Sequence, residues 1–414
     1  MTRYSAMSLL RGGLTRQRNW QPAWRDAEPK SAYDVVIIGG GGHGLATAYY
    51  LAKVHGIRRI ALIERAWIGG GNTGRNTTVI RSNYFFPEST RFYDFSLSLY
   101  EGLSQELNYN IMFSPRGMWT LAHDRHGVEM ARRSANAMLR NGADVEFHEG
   151  NEVHRRIPGL NPNPRFPVLA GLLQPRGGTA RHDAVAWAYA RGADAMGVDI
   201  IQNCEVIGFD IRGGRVCGVR TSRGDIATDR IGMAVAGHSG VLAALAGFRL
   251  PIVSYALQAF VSEPMKPVLD TVVLSPANGV YVSQSDKGEL VFGGALDLFP
   301  SYAQRGSLPV LEQVVGGLLD MFPQFSRVRM LRQWAGIVDV VRDSTPILGE
   351  SPVSGLYLNC GWGTGGFKAI PAGGYCFATA LATGISHPLA EAFTLDRFSS
   401  GALIDEAAAS GIAH

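Results

Sequence analysis

The feature that most constrains this chain is a unit near its N-terminus, residues 33–64, with the sequence YDVVIIGGGGHGLATAYYLAKVHGIRRIALIE. The apolar run 35–38 predicts a parallel strand that is buried on both faces. Three glycines follow at the G-x-G-x-x-G spacing, and residues 45–53 predict a helix. Such glycines allow a tight turn, close approach of the backbone to a pyrophosphate, and close packing of helix on strand. The unit therefore predicts a dinucleotide site.

A second predicted strand, residues 59–63, ends in Glu64, twenty positions after Gly44. A carboxylate at that strand end accepts hydrogen bonds from a ribose diol and repels a 2′-phosphate, so FAD or NAD fits better than NADP. Strand, turn, helix, second strand and acid in register predict a Rossmann-type α/β domain. The candidate cofactor-binding residues of this unit are Gly39, Gly41, Gly42, His43, Gly44, Glu64 and Arg65.

The composition restricts the class of protein. The 414 residues allow two or three domains, and 46% hydrophobic residues supply enough apolar mass for large cores. No apolar stretch approaches the roughly 18–20 residues that span a bilayer, and a net charge of +4 gives little support for a nucleic-acid partner. Four cysteines without C-x-x-C spacing predict a reducing cytoplasmic location and no structural zinc.

A polar segment follows the second strand, with the sequence WIGGGNTGRNTTVIRSNY. Segments rich in Gly, Asn and Thr beside a nucleotide site usually wrap the cofactor. Arg81 comes directly after a short β-prone run, and its guanidinium can hold a carboxylate by two hydrogen bonds. A surface salt bridge explains Arg81 equally well. The other candidates here are Asn72, Thr73, Arg75, Asn76 and Thr77.

A second glycine-rich loop, NCGWGTGGFK, lies between a short predicted strand, 356–359, and a predicted helix, 369–382. Such a loop directs N–H groups and the positive end of a helix dipole at a ligand. Lys368 at that helix start is electrostatically disfavoured, so an anionic partner is expected. The candidate residues are Gly363, Gly366, Phe367 and Lys368, together with Val206 and Gly237 from two further predicted strand ends.

Residues 252–295 are rich in alternating β-branched and aromatic residues, which predicts a second domain built on an antiparallel sheet. Tyr281 and Lys287 either line a substrate cavity there or are exposed. We expect the FAD-binding domain in residues 31–100, 165–250 and 335–402, and the substrate domain in 101–164 and 251–334. Residues 1–30, with Arg3, Trp20 and Trp24, predict a basic arm that lies on another surface or is loosely ordered; 403–414 predict a frayed tail.

The segment GGTARHDAVAW places His182 one residue before Asp183, which is the predicted cap of a helix that runs to about residue 196. A lone histidine is usually exposed or satisfied by hydrogen bonds, so the local sequence assigns it no role.

Taken together, these motifs resemble those of the β subunits of heterotetrameric sarcosine oxidases, over about residues 30–410; HDAVAW and GWGTGGFK are the most specific. The resemblance implies a noncovalent FAD in the fingerprint domain and an FMN attached covalently through its 8α-methyl group to His182. It also implies that Arg81 and Lys368 hold the substrate carboxylate.

The resemblance further implies oxidation of sarcosine to glycine and formaldehyde, or to methylene-tetrahydrofolate, in one-carbon metabolism. Electrons would pass from FAD to FMN and then to dioxygen, giving hydrogen peroxide. Partner α, γ and δ subunits of the heterotetramer would carry the NAD, zinc and folate sites.

Two alternatives remain open from the sequence. One is a dehydrogenase of N-methylglutamate or a related secondary amino acid, in which Arg342 holds a second carboxylate; Arg342 is otherwise a surface residue. The other is a flavin-carrying electron-transfer subunit. Arg81 and Lys368 speak against the latter, because electron transfer alone needs no carboxylate clamp.

Overall fold

The structure is a computed structural model that describes residues 5–16, 18 and 22–406. Two large sheets organise the described chain, and each has helices packed on it. In chain order the strands are β1 (Val35–Ile38), β2 (Ile60–Ile63), β3 (Val79–Ile80), β4 (Met118–Ala122), β5 (Glu146–Glu149), β6 (Ala170–Gln174), β7 (Gly178–Thr179), β8 (Asp199–Ile201), β9 (Val206–Arg212), β10 (Arg215–Thr221), β11 (Gly224–Ala227), β12 (Ile231–Met233), β13 (Ile252–Pro264), β14 (Val272–Ser275), β15 (Val280–Gln284), β16 (Glu289–Pro300), β17 (Met330–Val341), β18 (Ile347–Glu350) and β19 (Leu356–Cys360).

The helices cover these sheets and carry the connections between them. They are α1 (Ala6–Leu14), α2 (Gly42–Lys53), α3 (Pro87–Glu106), α4 (Arg125–Arg140), α5 (Gly150–Arg156), α6 (His182–Ala195), α7 (Ser239–Leu245), α8 (Leu308–Met321), α9 (Ile370–Thr383) and α10 (Arg397–Ser400).

The first sheet has six strands in the order β18-β19-β12-β1-β2-β8. All its neighbours are parallel except β18 and β19, and β1 and β2 are buried along their whole length. Helices α2, α3, α6 and α9 form one apolar core on this sheet, and the three-stranded sheet β11-β10-β9 contributes to a second core. The predicted Rossmann-type fold is confirmed, because β1 lies in a parallel sheet and is buried on both faces, as its continuous apolar run requires.

The second sheet has eight strands in the order β17-β13-β16-β15-β14-β4-β6-β5. It is antiparallel as predicted except for β14 and β4, which are parallel. Helix α8 packs on it with the core of Phe260, Val282 and Leu318. The parallel pair joins strands that are distant in sequence, so the alternation within residues 252–295 could not reveal it.

Sheet membership differs from the predicted boundaries at one strand. Strand β6 belongs by sequence to the predicted FAD-binding segment 165–250, but its backbone pairs with β4 and β5 in the second sheet. Strand β17 spans the predicted boundary at residue 335. The division into domains itself stays a prediction.

Two helices begin earlier than predicted. Helix α2 begins at Gly42 with Gly41 as its N-cap, so the last fingerprint glycine, Gly44, lies in its first turn. Helix α6 begins at His182 with Arg181 as its N-cap, and the prediction that Asp183 caps it is wrong. Asp183 lies in the first turn, where its carboxylate pairs with Arg181 at 2.6 Å and accepts the N–H of Ala184.

The described parts of both terminal segments are more closely attached to the body than predicted. Arg25 pairs with Asp194 at 2.8 Å and Lys30 pairs with Asp199, so this part of the basic arm lies on its own chain. Asp199 is 4% exposed and requires a cation there. At the other end, Ile404 and Glu406 are buried, so residues 403–406 are not frayed. Arg3, Trp20 and residues 407–414 lie outside the described residues.

Within the described ranges, no helix is both long and apolar enough to cross a membrane.

Candidate cofactor and substrate site

A cavity of about 820 Å³ lies between the two large sheets. Its first wall is at the carboxyl ends of β1, β2 and β12, where open α/β sheets bind ligands. The opposite wall comes from β13, β15 and β16, and the size is that of a pocket for a cofactor or substrate. The predicted residues on its wall are Gly39, Gly41, Gly42, His43, Glu64, Arg65, Asn72, Thr73, Arg75, Asn76, Thr77, Arg81, Val206, Gly237, Gly363, Gly366, Phe367 and Lys368.

The fingerprint turn tolerates only glycine at two positions. Gly39 has φ +112°, and a Cβ there would lie 2.2 Å from the carbonyl oxygen of Ala234. A Cβ on Gly44 would lie 1.9 Å from the carbonyl oxygen of Gly39. Gly44 therefore lies behind the cavity wall and supports it by letting α2 approach β1. Helix α2 begins at the cavity, as a site for a pyrophosphate requires.

The substitution Gly44→Ala should lower the free energy of unfolding and the FAD content together. The clash involves backbone, so we expect a cost at or above the upper end of the about 1–3 kcal/mol usual for overpacking. The control is Gly102→Ala in the exposed part of α3, where an added Cβ meets nothing within 4 Å. That change should raise stability by about 0.5–1 kcal/mol. Chemical denaturation measures the free energy of unfolding, and flavin absorbance measures the FAD content. Equal effects of the two substitutions would contradict the requirement for glycine at position 44.

Glu64 holds the fingerprint turn at the end of β2. Its carboxylate accepts the N–H of Gly40 at 2.8 Å and the N–H of Ala66 at 2.9 Å. Each carboxylate oxygen has a further lone pair for a ribose hydroxyl. The ribose role of Glu64 stays a prediction.

The polar segment after β2 connects the two sheets across the cavity. Asn72 accepts the N–H of Ile337 at 2.8 Å and donates to its carbonyl oxygen, which binds the segment to β17. Trp334 donates to the carbonyl oxygen of Arg75 at 2.9 Å. Thr77 donates to the hydroxyl of Tyr281 at 2.9 Å. These contacts fix the segment along the cavity wall.

The sequence left open whether Tyr281 and Lys287 line a cavity or are exposed, and the structure places them differently. Tyr281 lines the cavity, and burial raises its pKa to about 12, so it stays a neutral hydroxyl. Lys287 is exposed and lies outside the cavity wall.

Arg81 and Lys368 form the cationic end of the cavity. The Arg81 guanidinium lies 4.5 Å over the ring of Tyr84 and donates to the side chain and carbonyl oxygens of Asn83. Lys368 is 6% exposed, and its Nζ donates to the carbonyl oxygen of Thr364 at 2.9 Å. Neither side chain has a carboxylate partner among the ion pairs of the described chain. The pKa of Lys368 lies well below its ordinary value, mainly because of burial and secondly because of the charge of Arg81.

Lys368 should therefore take up a proton when a carboxylate ligand binds. Above its lowered pKa, Lys368 is neutral in the empty site. A bound anion favours the charged amine and raises its pKa, so binding at a pH between the two values adds a proton. Calorimetry of acetate binding in two buffers of different ionisation enthalpy measures the uptake. Lys368→Met should abolish it and Lys287→Met should not; no uptake by the wild type at neutral to alkaline pH would contradict the assignment.

Asp339 is a buried carboxylate on the cavity wall that sequence reasoning missed. It is 2% exposed and accepts the N–H of Gly361 at 2.6 Å, so it orders the loop that leads to Lys368. Burial raises its pKa to about 6, opposed by the loop N–H groups. The available signal was an acid inside the apolar run of β17.

His43 is a partly buried polar residue that contacts this loop. Its Nε2 contacts the carbonyl oxygen of Gly366 at 2.8 Å, and its ring stacks on Trp362 at 4.6 Å. Burial lowers its pKa to about 4, so the ring is neutral. Its Nδ1 is buried without a hydrogen-bond partner in the described structure. The glycine-rich turn and the start of α2 fit a large polar cofactor such as FAD.

His182 does not lie on this cavity. It is the first residue of α6, and its pKa is lowered mainly by burial. Its Nδ1 is buried and has no partner within the described residues. Any group bound by His182 therefore belongs to a site separate from the large cavity.

In the part of the chain that the structure describes, no group of three or more His, Cys, Asp and Glu side chains is placed to hold a metal ion. All four cysteines are free thiols.

A glycine-cradled cavity between a Rossmann-type sheet and a second, mostly antiparallel sheet defines a dinucleotide-dependent oxidoreductase. The chain belongs to the family of FAD dependent oxidoreductases, which matches residues 34–380. It is 54% identical to the sarcosine oxidase subunit beta of Rhodobacter capsulatus, over 100% of both chains. It is 51% identical to that of an Arthrobacter species, over 94% of this chain and 97% of the relative. Its fold is similar to that of L-proline dehydrogenase from P. horikoshii, with TM-score 0.85 and 27% identity over 91% of this chain and 100% of that one.

Proposed function

We propose that this chain is the FAD-binding β subunit of a sarcosine oxidase and oxidises sarcosine to glycine and formaldehyde. One observation carries the assignment: Arg81 and the buried Lys368 lie on the same cavity as the fingerprint, and neither pairs with a carboxylate among the residues that the structure describes. Relatives that are 51–55% identical over nearly their whole length bear the name sarcosine oxidase subunit beta.

The two cations select a small amino acid by its carboxylate. Arg81 offers a planar pair of N–H donors, and Lys368 adds a charged donor once the anion is present. Because the anion is pinned at one end, the amine and its N-methyl group point into the remaining cavity beside Tyr281. Fixing the substrate in this way supplies much of the rate enhancement.

The fingerprint residues would hold FAD, which supplies a two-electron acceptor when bound. The start of α2 would face its pyrophosphate, and Glu64 its ribose. The terminal loop, ordered by Asp339, presents N–H groups to the same cavity. Lys368, once charged, would also stabilise negative charge in this part of the cavity when FAD is bound.

We assign a covalent FMN to His182. A neutral imidazole is the form that can bond to a flavin 8α carbon, and burial favours it at His182. The unpaired Nδ1 leaves the ring without a competing structural role. Such a group would supply the outlet by which electrons reach dioxygen, with hydrogen peroxide as the product.

The name subunit beta of the relatives implies a multi-subunit enzyme. We propose α, γ and δ partners that carry the NAD, zinc and folate sites, and transfer of the formaldehyde unit to tetrahydrofolate in a partner. The cysteine pattern supports a cytoplasmic location.

Nothing in the described cavity favours the N-methylglutamate alternative. Arg342, the cation proposed for a second carboxylate, is exposed and lies outside the cavity wall. A subunit limited to electron transfer has no use for the pair Arg81 and Lys368.

The test is steady-state turnover of the purified enzyme with sarcosine, N-methylglutamate and N-methylalanine. We expect sarcosine to give the largest kcat/KM, with one glycine formed per sarcosine. A larger kcat/KM for N-methylglutamate would contradict the substrate assignment.

A further inference from the structure

Helix α3 receives its N-terminal cap from the far end of the chain. Its N-cap residue, Phe86, makes no side-chain capping bond. Instead, the carboxylate of Glu406 accepts the N–H of Phe85 at 3.1 Å and the N–H of Phe86 at 3.0 Å. Glu406 is 3% exposed, so these bonds satisfy donors that water does not reach. A negative charge is favoured at this end of a helix.

Helix α3 in turn holds the backbone around Lys368. Ser96 donates to the carbonyl oxygen of Lys368 at 2.7 Å, and Tyr100 donates to the carbonyl oxygen of Phe367 at 2.6 Å. A displacement of α3 would therefore move Lys368.

Arg81 is tied to the same helix through aromatic rings. The guanidinium lies over Tyr84, and Tyr84 stacks on Tyr93 of α3 with ring centroids 3.9 Å apart. Thr90 of α3 also donates to the carbonyl oxygen of Tyr84 at 2.7 Å. Both cations of the carboxylate clamp thus depend on where α3 begins.

The segment that carries Glu406 is fixed to the protein core. Thr345 donates to the carbonyl oxygen of Ile404 at 2.6 Å, and the Ile404 side chain is buried. Arg397, paired with Asp343 in the interior, donates to the carbonyl oxygen of Thr345 at 2.6 Å. The family match ends at residue 380, so this segment lies outside it.

We propose that residues 403–406 form a C-terminal latch that holds Arg81 and Lys368 at the spacing required by the substrate carboxylate, with Glu406 as the positioning residue. This inference rests on the proposed function, because the carboxylate is that of sarcosine. Glu406 lies outside the cavity wall and acts only through α3 and the segment that precedes it.

The test compares Glu406→Gln with Glu391→Gln, an exposed carboxylate of the same C-terminal region, in the full-length enzyme purified with its subunits. Glutamine presents an N–H₂ group to one backbone N–H and loses that bond. We expect the KM for sarcosine to rise about tenfold, with kcat within about twofold and flavin content unchanged. The control should match the wild type.

The sign of the effect separates positioning from charge. If Glu406 acted only through its charge, its removal would leave Arg81 a stronger anion site and lower the KM. A rise in KM supports the latch, whereas an unchanged or lower KM overturns it. If Glu406→Gln does not fold, Thr345→Val serves instead, because it removes the hydrogen bond to Ile404. A rise in its KM for sarcosine supports the latch, and an unchanged or lower KM overturns it.

The dissociation constant of acetate, measured from its effect on the flavin spectrum, provides a second readout and should rise in parallel. It needs only a bound flavin and a carboxylate, so it tests the latch apart from turnover. A wild-type enzyme that does not oxidise sarcosine contradicts the proposed function. An active wild type whose variant keeps both the KM and the acetate affinity contradicts the latch alone.

Discussion

Arg81→Met is expected to lower kcat/KM for sarcosine by about two orders of magnitude, mostly through KM. Methionine keeps an unbranched, apolar stem at this position and removes the charge and the paired N–H donors. Charged hydrogen bonds contribute about 1.5–3 kcal/mol, and each 1.4 kcal/mol is about a factor of ten. A buried anion left with Lys368 alone would lose at least that much.

The same change should alter the pH dependence of binding. The charge of Arg81 is one cause of the lowered pKa of Lys368, after burial. Removing it raises the pKa of Lys368, so acetate binding should lose less affinity as the pH increases. Steady-state kinetics and acetate titrations across pH measure both effects.

The matched control is Arg342→Met, an exposed arginine outside the cavity wall. It should leave the KM for sarcosine unchanged. If Arg81→Met behaved like this control, the assignment of Arg81 to the substrate carboxylate would be wrong.

His182→Asn should remove all flavin that stays on the chain after denaturation. The imidazole is the proposed point of attachment, and asparagine has no nitrogen able to form that bond while its size disturbs α6 little. Precipitation followed by absorbance and peptide mass analysis measures the retained flavin. FAD should be recovered in the supernatant of both proteins, since the large cavity is a separate site.

His126→Asn, at an exposed position of α4, is the control and should keep its covalent flavin. Wild-type protein that releases all its flavin as FAD would contradict the role of His182. The chain would then be a single-flavin amine oxidoreductase with another electron route.

Local signals account for the part of the site that could be predicted. The apolar run of β1, the glycine spacing and Glu64 follow one another in the chain, so their arrangement is set by a few turns of backbone. Lys368 at a helix start calls for an anionic partner, whereas the local sequence leaves Arg81 open between a carboxylate site and a surface salt bridge, and only the family resemblance favours the first.

The residues that were missed act across long separations. Glu406 and Phe85 are 321 positions apart, and no periodicity links a buried acid near the C-terminus with the start of α3. Asp339 looked like one of several acids, because its burial depends on how β17 faces the terminal loop. The membership of β6 in the second sheet escaped prediction for a related reason: alternation predicts a strand but not its neighbours.

The most direct test of this account is anaerobic mixing of the purified enzyme with sarcosine while the flavin absorbance is followed. We predict that sarcosine reduces the bound flavin, that glycine and formaldehyde form in equal amounts, and that acetate inhibits the reduction competitively. A flavin that dithionite reduces but sarcosine leaves oxidised would contradict the assignment of this cavity to sarcosine oxidation.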